Sequence, residues 1–430
     1  MKAVILAAGE GTRLRPLTLT RPKHIFPIGG KPLLEHTLSG LKNTGINEIL
    51  IVVGYLKEKI IEILGDGEKL GIEISYIEQP EVLGTADATS LAEKFVNNES
   101  FLLINGDVIT KETTYQGLRS KFEREKTDAV LAVTQVPDPS KYGIVEIEKG
   151  KVTKIVEKPV QTSPSDYVNA GIYLFSPQIF EAIRQTKKSR RGEYEITESI
   201  QILIKQEKTI LAYKITNYWF DVGHPWDLLD ANKTLIKDAE PKMEGEREER
   251  VTIIPPVYIG KNTIIRSGTY IKGPVHIGED CDIGPNSYIR ECTTIGNKCH
   301  VGNACEIKNT IILDRTNVAH LSYVGDSIIG ENVNLGAGTI TANLRLDEKC
   351  IITPVKGEKV DTGRRKLGAM IGDNVKTGIG TTIMPGVKIG PNSLIGPNIN
   401  LWEDVKENTL VIEKQKLEAK RISKDSVLEE

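Results

Sequence analysis

From residue 259 to residue 313 every sixth position is an aliphatic: Ile259, Ile265, Ile271, Ile277, Ile283, Ile289, Ile295, Val301, Ile307 and Leu313. A six-residue period matches neither the turn of a helix nor the two-residue alternation of a strand hairpin. It does match a solenoid of short parallel strands, with glycines such as Gly260, Gly278, Gly284, Gly296 and Gly302 at the corners. Two places before the repeat aliphatics stand small residues, among them Thr263, Thr269, Cys281, Ser287, Thr293, Cys299 and Cys305. Three of the five cysteines are thereby expected to be core fillers, and no C-x-x-C pair argues for metal or redox work. The period resumes at Ile371, Ile383, Ile389, Ile395 and Leu401, with Thr377 in the one weak slot. Residues 341–368 are therefore expected to leave the solenoid as a loop, and long loops on rigid scaffolds commonly carry function.

The first half has another grammar. Short apolar runs such as "AVILAAG", "EILIVVGY" and "SFLLINGDVI" alternate with helical patterns such as "PLLEHTLSGLKN" and "LKEKIIEILG". This alternation predicts an α/β domain over 1–230 with a mostly parallel, Rossmann-like mixed sheet, and ligands gathered at the strand C-terminal edge. Residues 231–250, "ANKTLIKDAEPKMEGEREER", lose the apolar period and are expected to be a helix tail and linker. The solenoid is expected over 251–410, followed by a C-terminal tail over 411–430.

At the sheet edge lies "LAAGEGTRLRPLTLTRPK". A glycine-rich turn after an apolar strand usually cradles an anion with exposed backbone N–H groups. It is not a Walker loop, because no lysine follows Gly11. Nor is it a dinucleotide fingerprint, because Leu14 holds the third glycine position and nothing acidic lies between Glu10 and Glu35. With 56 basic against 58 acidic residues, no global field points to nucleic acid or an anionic membrane, so a charged ligand must be held locally. No apolar run approaches the ~18 residues of a membrane span, and the opening strand ends in a glycine loop rather than a cleavage pattern. The expectation is a cytoplasmic protein with small-molecule substrates.

"LAAGEGTRLRPLT" with "RPK", and then in order "EQPEVLGTADA", "NGD", "YGIVE", "EKP", "NAGIY" and "WFDVG", resembles the sugar-1-phosphate nucleotidyltransferases over essentially all of 1–230. The resemblance implies attack of a sugar phosphate oxygen on the α-phosphorus of a nucleoside triphosphate, with pyrophosphate leaving. Two anions must meet, so cations must be supplied. By this resemblance Arg13 and Lys23 provide positive charge, and Asp107 and Asp221 hold Mg²⁺. The backbone of Ala8, Gly9 and Gly11 lines the nucleotide, while Gln79, Gly84 and Thr85 read a uracil or thymine base, so UTP or dTTP is the donor. Gly143, Glu157, Lys158 and Asn169 match the sugar side. Arg15 and Arg21 read as surface or supporting charges.

In the second half "VAHLSYVGDSIIGENVNLGAGTITAN" resembles the acetyltransferase centre of the bifunctional enzymes that make UDP-N-acetylglucosamine from glucosamine-1-phosphate. Left-handed β-helices of this hexapeptide type are typical of acyltransferases, and they commonly trimerise with active sites between neighbouring prisms, so a homotrimer or a dimer of trimers is implied. An amine attacking the thioester of acetyl-CoA must lose a proton, and histidine is the natural base near neutrality; His320 matches. Tyr323, Asn334 and Asn343 are implied to bind the amino sugar or the developing oxyanion, and Arg290, Lys308 and Lys366 the sugar phosphate. Leu344 stands where the family has tyrosine, and the loop that follows is longer than the bacterial pattern, as in the archaeal type.

The leading expectation is a two-site enzyme that acetylates glucosamine-1-phosphate and couples the product to UTP. Two others follow from the same residues. One is a glucose-1-phosphate thymidylyl- or uridylyltransferase whose β-helix only assembles the oligomer, with His320 idle. The other is a binding module like the initiation-factor exchange subunits, against which Arg13, Lys23, Asp107 and Asp221 argue.

Overall fold

The computed structural model describes residues 1–157, 165–414 and 418. The first domain is built on a nine-stranded mixed sheet. Four parallel strands, 73–78, 48–53, 2–7 and 101–105, form one half, with Ile5 opposite Ile51 and Ile104. Strand Tyr167–Phe175 then enters antiparallel between 101–105 and 129–135, and the order continues through 210–214, 151–156 and 144–148. The parallel strands read as continuous aliphatic runs because both faces are covered, and two separate apolar clusters lie on the two sides.

The second domain is a prism of three parallel sheets with eight, nine and eight strands, as the hexapeptide period requires of a left-handed β-helix. Its axis is filled by Ile259, Ile265, Ile271 and their successors, together with Cys281, Cys299 and Cys305, each about 2% exposed.

The structure departs from the sequence expectation in three places. The solenoid starts earlier than residue 251: the helix Pro225–Lys237 is followed at once by strands Lys242–Met243 and Glu246–Arg247, already paired with the next coil. The six-residue rhythm also loses one residue after Ile307. Ile312, not Leu313, lies opposite Ile295, and the core continues through Val318, Val324, Ile329 and Leu335 in coils of one residue less. Finally, most of the corner glycines are not there for a left-handed backbone. Among the five named, Gly284 alone has positive φ, and the left-handed corners fall to residues such as Asn262, Asn286 and Asn332. Gly260 and Gly278 are needed for stacking: a Cβ on Gly260 would lie 2.7 Å from Gly278 backbone, and one on Gly278 2.8 Å from Gly296.

The displaced Leu313 has another task. With Ile311, Ile328 and Met370 it makes the outside of one prism face apolar, and the first domain covers that face with Leu14, Leu17, Trp226 and Leu229. Buried Asn232 pins the same seam: its Oδ1 accepts from Gly29 N–H (2.9 Å) and Thr294 Oγ1 (2.7 Å), and its Nδ2 donates to Cys292 O (3.2 Å).

Arg21, expected to be a surface or supporting charge, is a half-buried link across the seam. Its Nη2 donates to Glu331 and to Asp373, both at 2.7 Å, and Thr20 Oγ1 donates to Asp373 at 2.6 Å. Burial works against the guanidinium charge, but Asp373 and Glu331 outweigh it and raise its pKa. Removing one partner of such a set leaves carboxylates uncompensated, so Arg21→Ala is expected to cost about 3–5 kcal/mol in a denaturant titration. A loss below about 1 kcal/mol would show that the seam does not depend on this ion pair.

Candidate active sites

The first site lies where the strands 2–7 and 101–105 end. Asp107 follows the second of these, and the short antiparallel pair Val108–Thr110 with Trp219–Asp221 sets Asp221 opposite Val108. The two carboxylates thus reach the same edge, with Val222 N–H on Asp107 O at 3.0 Å. Lys23 donates to Asp107 Oδ2. Burial works against the charged form of Asp107, yet the Lys23 ammonium overrides it and holds this carboxyl below its usual range. Asp221 moves the other way, pushed up to about 7 by burial and by the neighbouring Asp107 charge. Such a pair calls for more positive charge than Lys23 alone provides.

The glycine loop is built around Lys23. Gly11 has φ 66°, and a Cβ there would sit 3.3 Å from the Lys23 stem. Its carbonyl accepts Leu14 N–H and Thr18 Oγ1, both at 2.9 Å. Arg13 is exposed with its guanidinium over Gly223, where an added Cβ would stand 3.3 Å from Nη1. Arg15 pairs with Glu10 on the surface.

These groups open on a cavity of about 810 Å³ lined by Arg13, Thr85, Asp107, Gly143, Glu157, Asn169 and Asp221, among others. The structure therefore gathers seven of the expected residues into one space. Gly143 approaches Glu157 so closely that a Cβ would lie 2.8 Å from Oε2, and its carbonyl accepts Asn169 N–H at 2.8 Å. Asn169 Nδ2 donates to Tyr173 Oη at 2.6 Å. Gln79 is 3% exposed and spends its amide donor on Gly84 O (3.2 Å) and Asp87 (2.7 Å), which leaves its own carbonyl as an acceptor. Gly84 has φ 123° and touches Tyr194 so closely that a Cβ would meet its carbonyl at 2.4 Å. Ala8, Gly9, Gly11, Gln79, Gly84 and Lys23 do not line this cavity; they lie beside it on the loop and sheet edge. Lys158 lies outside the described residues.

Arg191 was not anticipated. It lines the cavity, donates to Glu195 at 3.2 Å and stands 3.8 Å from Glu157. The run "RRGEYEIT" gave only a charged stretch, with no period to place it. Asn105 and Thr197 also line the cavity, and Asn105 Oδ1 and Thr197 Oγ1 are buried without a partner among the described residues.

The second group of expected residues lies on the β-helix. Strands Glu306–Lys308 and Tyr323–Gly325 run in register on one face, and the neck of the loop brings Asn343 beside them. Asn343 Nδ2 donates to Tyr323 Oη (3.0 Å) and Asp326 Oδ2 (2.5 Å). Asp326, 4% exposed and missed in the sequence, also receives Lys308 Nζ (3.2 Å) and Asn309 Nδ2 (2.7 Å). It sits at a left-handed corner, and nothing in the six-residue pattern marks it. Arg290 lies two coils away and donates to Glu306 at 2.8 Å, while its Nε is buried 3.9 Å from Glu291, with no hydrogen-bond partner among the described residues. Lys366 pairs with Leu344 across the loop neck, next to Asn343. His320 and Asn334 are exposed on the adjoining face, on neighbouring strands, and a corner at Leu321 separates His320 from Tyr323. Hydrogen bonds join Tyr323 to Asn343, and Asn343 and Lys308 to Asp326, but among the described residues they do not draw in the side chains of His320 or Asn334.

The comparisons divide the chain in the same way. A family model described as nucleotidyl transferase matches residues 2–238, one described as GMPPB C-terminal domain matches 271–378, and one described as bacterial transferase hexapeptide (six repeats) matches 368–398. The bifunctional protein GlmU of Methanocaldococcus jannaschii is 42% identical over 97% of this chain and 98% of its own. The bifunctional sugar-1-phosphate nucleotidylyltransferase/acetyltransferase of Sulfurisphaera tokodaii is 40% identical over 94% of this chain and 98% of its own. A solved structure from Bacillus anthracis, described as a glucose-1-phosphate thymidylyltransferase in complex with sucrose, superposes with a TM-score of 0.52 at 31% identity. It covers 56% of this chain and 98% of its own.

Proposed function

We infer, for a chain that belongs to the archaeal family of bifunctional sugar-1-phosphate nucleotidyltransferases and acetyltransferases, that it makes UDP-N-acetylglucosamine in two steps. On the β-helix glucosamine-1-phosphate is acetylated from acetyl-CoA; on the first domain the resulting N-acetylglucosamine-1-phosphate takes the uridylyl group of UTP. The observation that carries the first half is the single cavity in which Arg13, Asp107 and Asp221 face Gly143, Glu157 and Asn169. An anion-tolerant end and a hydroxyl-binding end in one space are what joining a triphosphate to a sugar phosphate requires.

In this reading the phosphate oxygen of the sugar attacks the α-phosphorus, a P–O bond forms, and pyrophosphate leaves with the electron pair of the bond that breaks. Lys23 and Arg13 offset the negative charge where the two anions meet. Gln79 accepts the N3–H of the pyrimidine with its remaining carbonyl. Asp107 and Asp221 would hold Mg²⁺. Two half-buried carboxylates, one with its pKa raised by desolvation and by the charge of the other, suit a hard cation that completes its shell with water and substrate phosphate. Among the described residues no group of three or more His, Cys, Asp or Glu could hold a metal by itself, which agrees with that sharing. When bound, the ion supplies further charge neutralisation on phosphate oxygens.

At the second site His320 takes the proton of the amine as its nitrogen attacks the thioester carbonyl; the C–N bond forms and the thiol of CoA departs. Arg290 and Lys308 would supply positive charge to the sugar phosphate, with Lys366 beside Asn343. His320, Asn334 and Lys366 are exposed on the single prism, so a neighbouring prism closes the site in a homotrimer or a dimer of trimers. No described helix is long and apolar enough to cross a membrane, and cytoplasmic small-molecule work fits.

The test uses one preparation with two readouts: free thiol from acetyl-CoA with glucosamine-1-phosphate, and pyrophosphate from UTP with N-acetylglucosamine-1-phosphate. Both are expected, and a chelator should stop pyrophosphate release while leaving thiol release intact. Pyrophosphate without thiol, including with galactosamine-1-phosphate, would leave a nucleotidyltransferase on an assembly scaffold.

A further inference from the structure

The first site has a wall that the first domain does not supply. Val360, Asp361, Thr362 and Gly363 line its cavity, and they belong to the loop thrown out of the β-helix. There Ile352–Val355 and Glu358–Asp361 form an antiparallel hairpin. The hairpin is fastened from both sides. Thr353 Oγ1 donates to Gly386 O at 2.8 Å and Lys388 Nζ to Pro354 O, which ties it to the solenoid. Ile351 and Val355 are buried in the seam with Leu14 and Trp226, and Arg364 Nη1 reaches Asp230 on the helix Pro225–Lys237 at 2.7 Å. Thr362 Oγ1 closes the hairpin base on Ile351 O at 2.8 Å. A segment with these anchors is a fixed part of the site.

The same cavity is lined by the sugar-side residues Gly143, Glu157 and Asn169 and by the base-side residue Thr85, whereas Gln79 and Gly84 are not part of the lining. The wall therefore shares one space with the residues matched to the sugar 1-phosphate. Within it Asp361 is exposed, and its Oδ1 accepts Gly363 N–H at 2.8 Å in a tight turn. Its Oδ2 makes no hydrogen bond to the described residues. A carboxylate oxygen left free at a sugar-sized cavity is a good acceptor for a hydroxyl.

We propose that Asp361 is a substrate-binding residue of the nucleotidyl-transfer site, lent by the acetyltransferase domain, whose Oδ2 accepts a hydrogen bond from a pyranose hydroxyl of the sugar 1-phosphate. The proposal rests on the reading of that site given above. It makes the first active site a composite of both domains.

The test is steady-state pyrophosphate release by the full chain and its Asp361→Asn and Asp361→Ala variants. Calorimetric titration of N-acetylglucosamine-1-phosphate runs alongside. Asparagine keeps the acceptor for Gly363 N–H but loses the second. Both variants should raise KM for the sugar 1-phosphate about tenfold or more, the usual scale for a hydrogen bond to a charged group. Their KM for UTP, kcat and acetyl transfer should stay within about twofold. Sugar binding as tight as in the unaltered chain overturns the proposal, and so does a parallel rise in both KM values, which marks a structural role. If the unaltered chain releases no pyrophosphate with any sugar 1-phosphate, the reading of the site falls and Asp361 falls with it; an active parent with indistinguishable variants removes Asp361 alone.

Discussion

Lys23→Ala is expected to lower kcat/KM for pyrophosphate release by about 10²–10³, the usual loss when one preorganised charge at a reacting centre is removed. The residue is 9% exposed, bonded to Asp107 and covered by Gly11, so it is held in place before substrate arrives. Its loss acts twice. The phosphates lose a cation, and the Asp107–Asp221 pair loses the positive charge nearest to it, which raises the cost of keeping both ionised. Lys23→Arg should recover only part of the rate, because a planar fork cannot reproduce a compact ammonium in a space shaped by Gly11. Acetyl transfer by the same preparation is the control. If thiol release falls in proportion, the variant has lost its fold rather than its chemistry.

His320→Ala should remove acetyl transfer by about 10²–10⁴, the range for loss of a general base, and leave pyrophosphate release untouched. Stability should change by less than about 0.5 kcal/mol, since the side chain is exposed. That combination separates catalysis from structure: an idle surface histidine would leave both activities unchanged. The backbone is fixed independently of the ring, because His320 O accepts Ser322 Oγ at 2.8 Å and Gly338 N–H at 3.1 Å. Retention of full thiol release would transfer the proton-accepting role to another group.

Much of the architecture was legible because both domains write their periods openly. A six-residue repeat can hardly be anything but a solenoid, and strands buried on both faces give unbroken aliphatic runs such as "AVILA". The candidate residues of the first domain were legible through the ordered motifs that carry the family resemblance, and the glycines among them stand at close approaches. A Cβ on Gly84 would meet Tyr194 backbone at 2.4 Å, while one on Gly11 would crowd the Lys23 stem at 3.3 Å and one on Gly143 would push Glu157 Oε2 from 2.8 Å. What stayed hidden depends on contacts between distant parts of the chain. Arg21, 310 residues before its partner Glu331, looks like any surface arginine. The doubled aliphatics of "TIILD", "DSIIG" and "GAMIG" were the available signal for the seam, because Ile311, Ile328 and Met370 fall on the outward position of the repeat. Asp326 and Asp361 carry no pattern at all. One accepts from Asn343, Lys308 and Asn309 at a corner, and the other lines the first cavity from a loop that breaks the six-residue period.

The seam also bears on how the prism comes apart. A solenoid is a stack in which each coil leans only on its neighbours, so its ends ordinarily fray alike. Here the first domain grips the coils around Ile311, Ile328 and Met370, and Asn232 reaches one coil further back. Coils at mid-length therefore open only when the α/β sheet releases them. Those carrying Leu394, Leu401 and Leu410 lie beyond the grip. Amide hydrogen exchange should fall into two classes along one continuous ladder, slow from about residue 293 to residue 371 and faster toward the C-terminal coils. Protein turnover would then begin at the free end of the prism, and the cavity walled by both domains would be among the last parts to be lost.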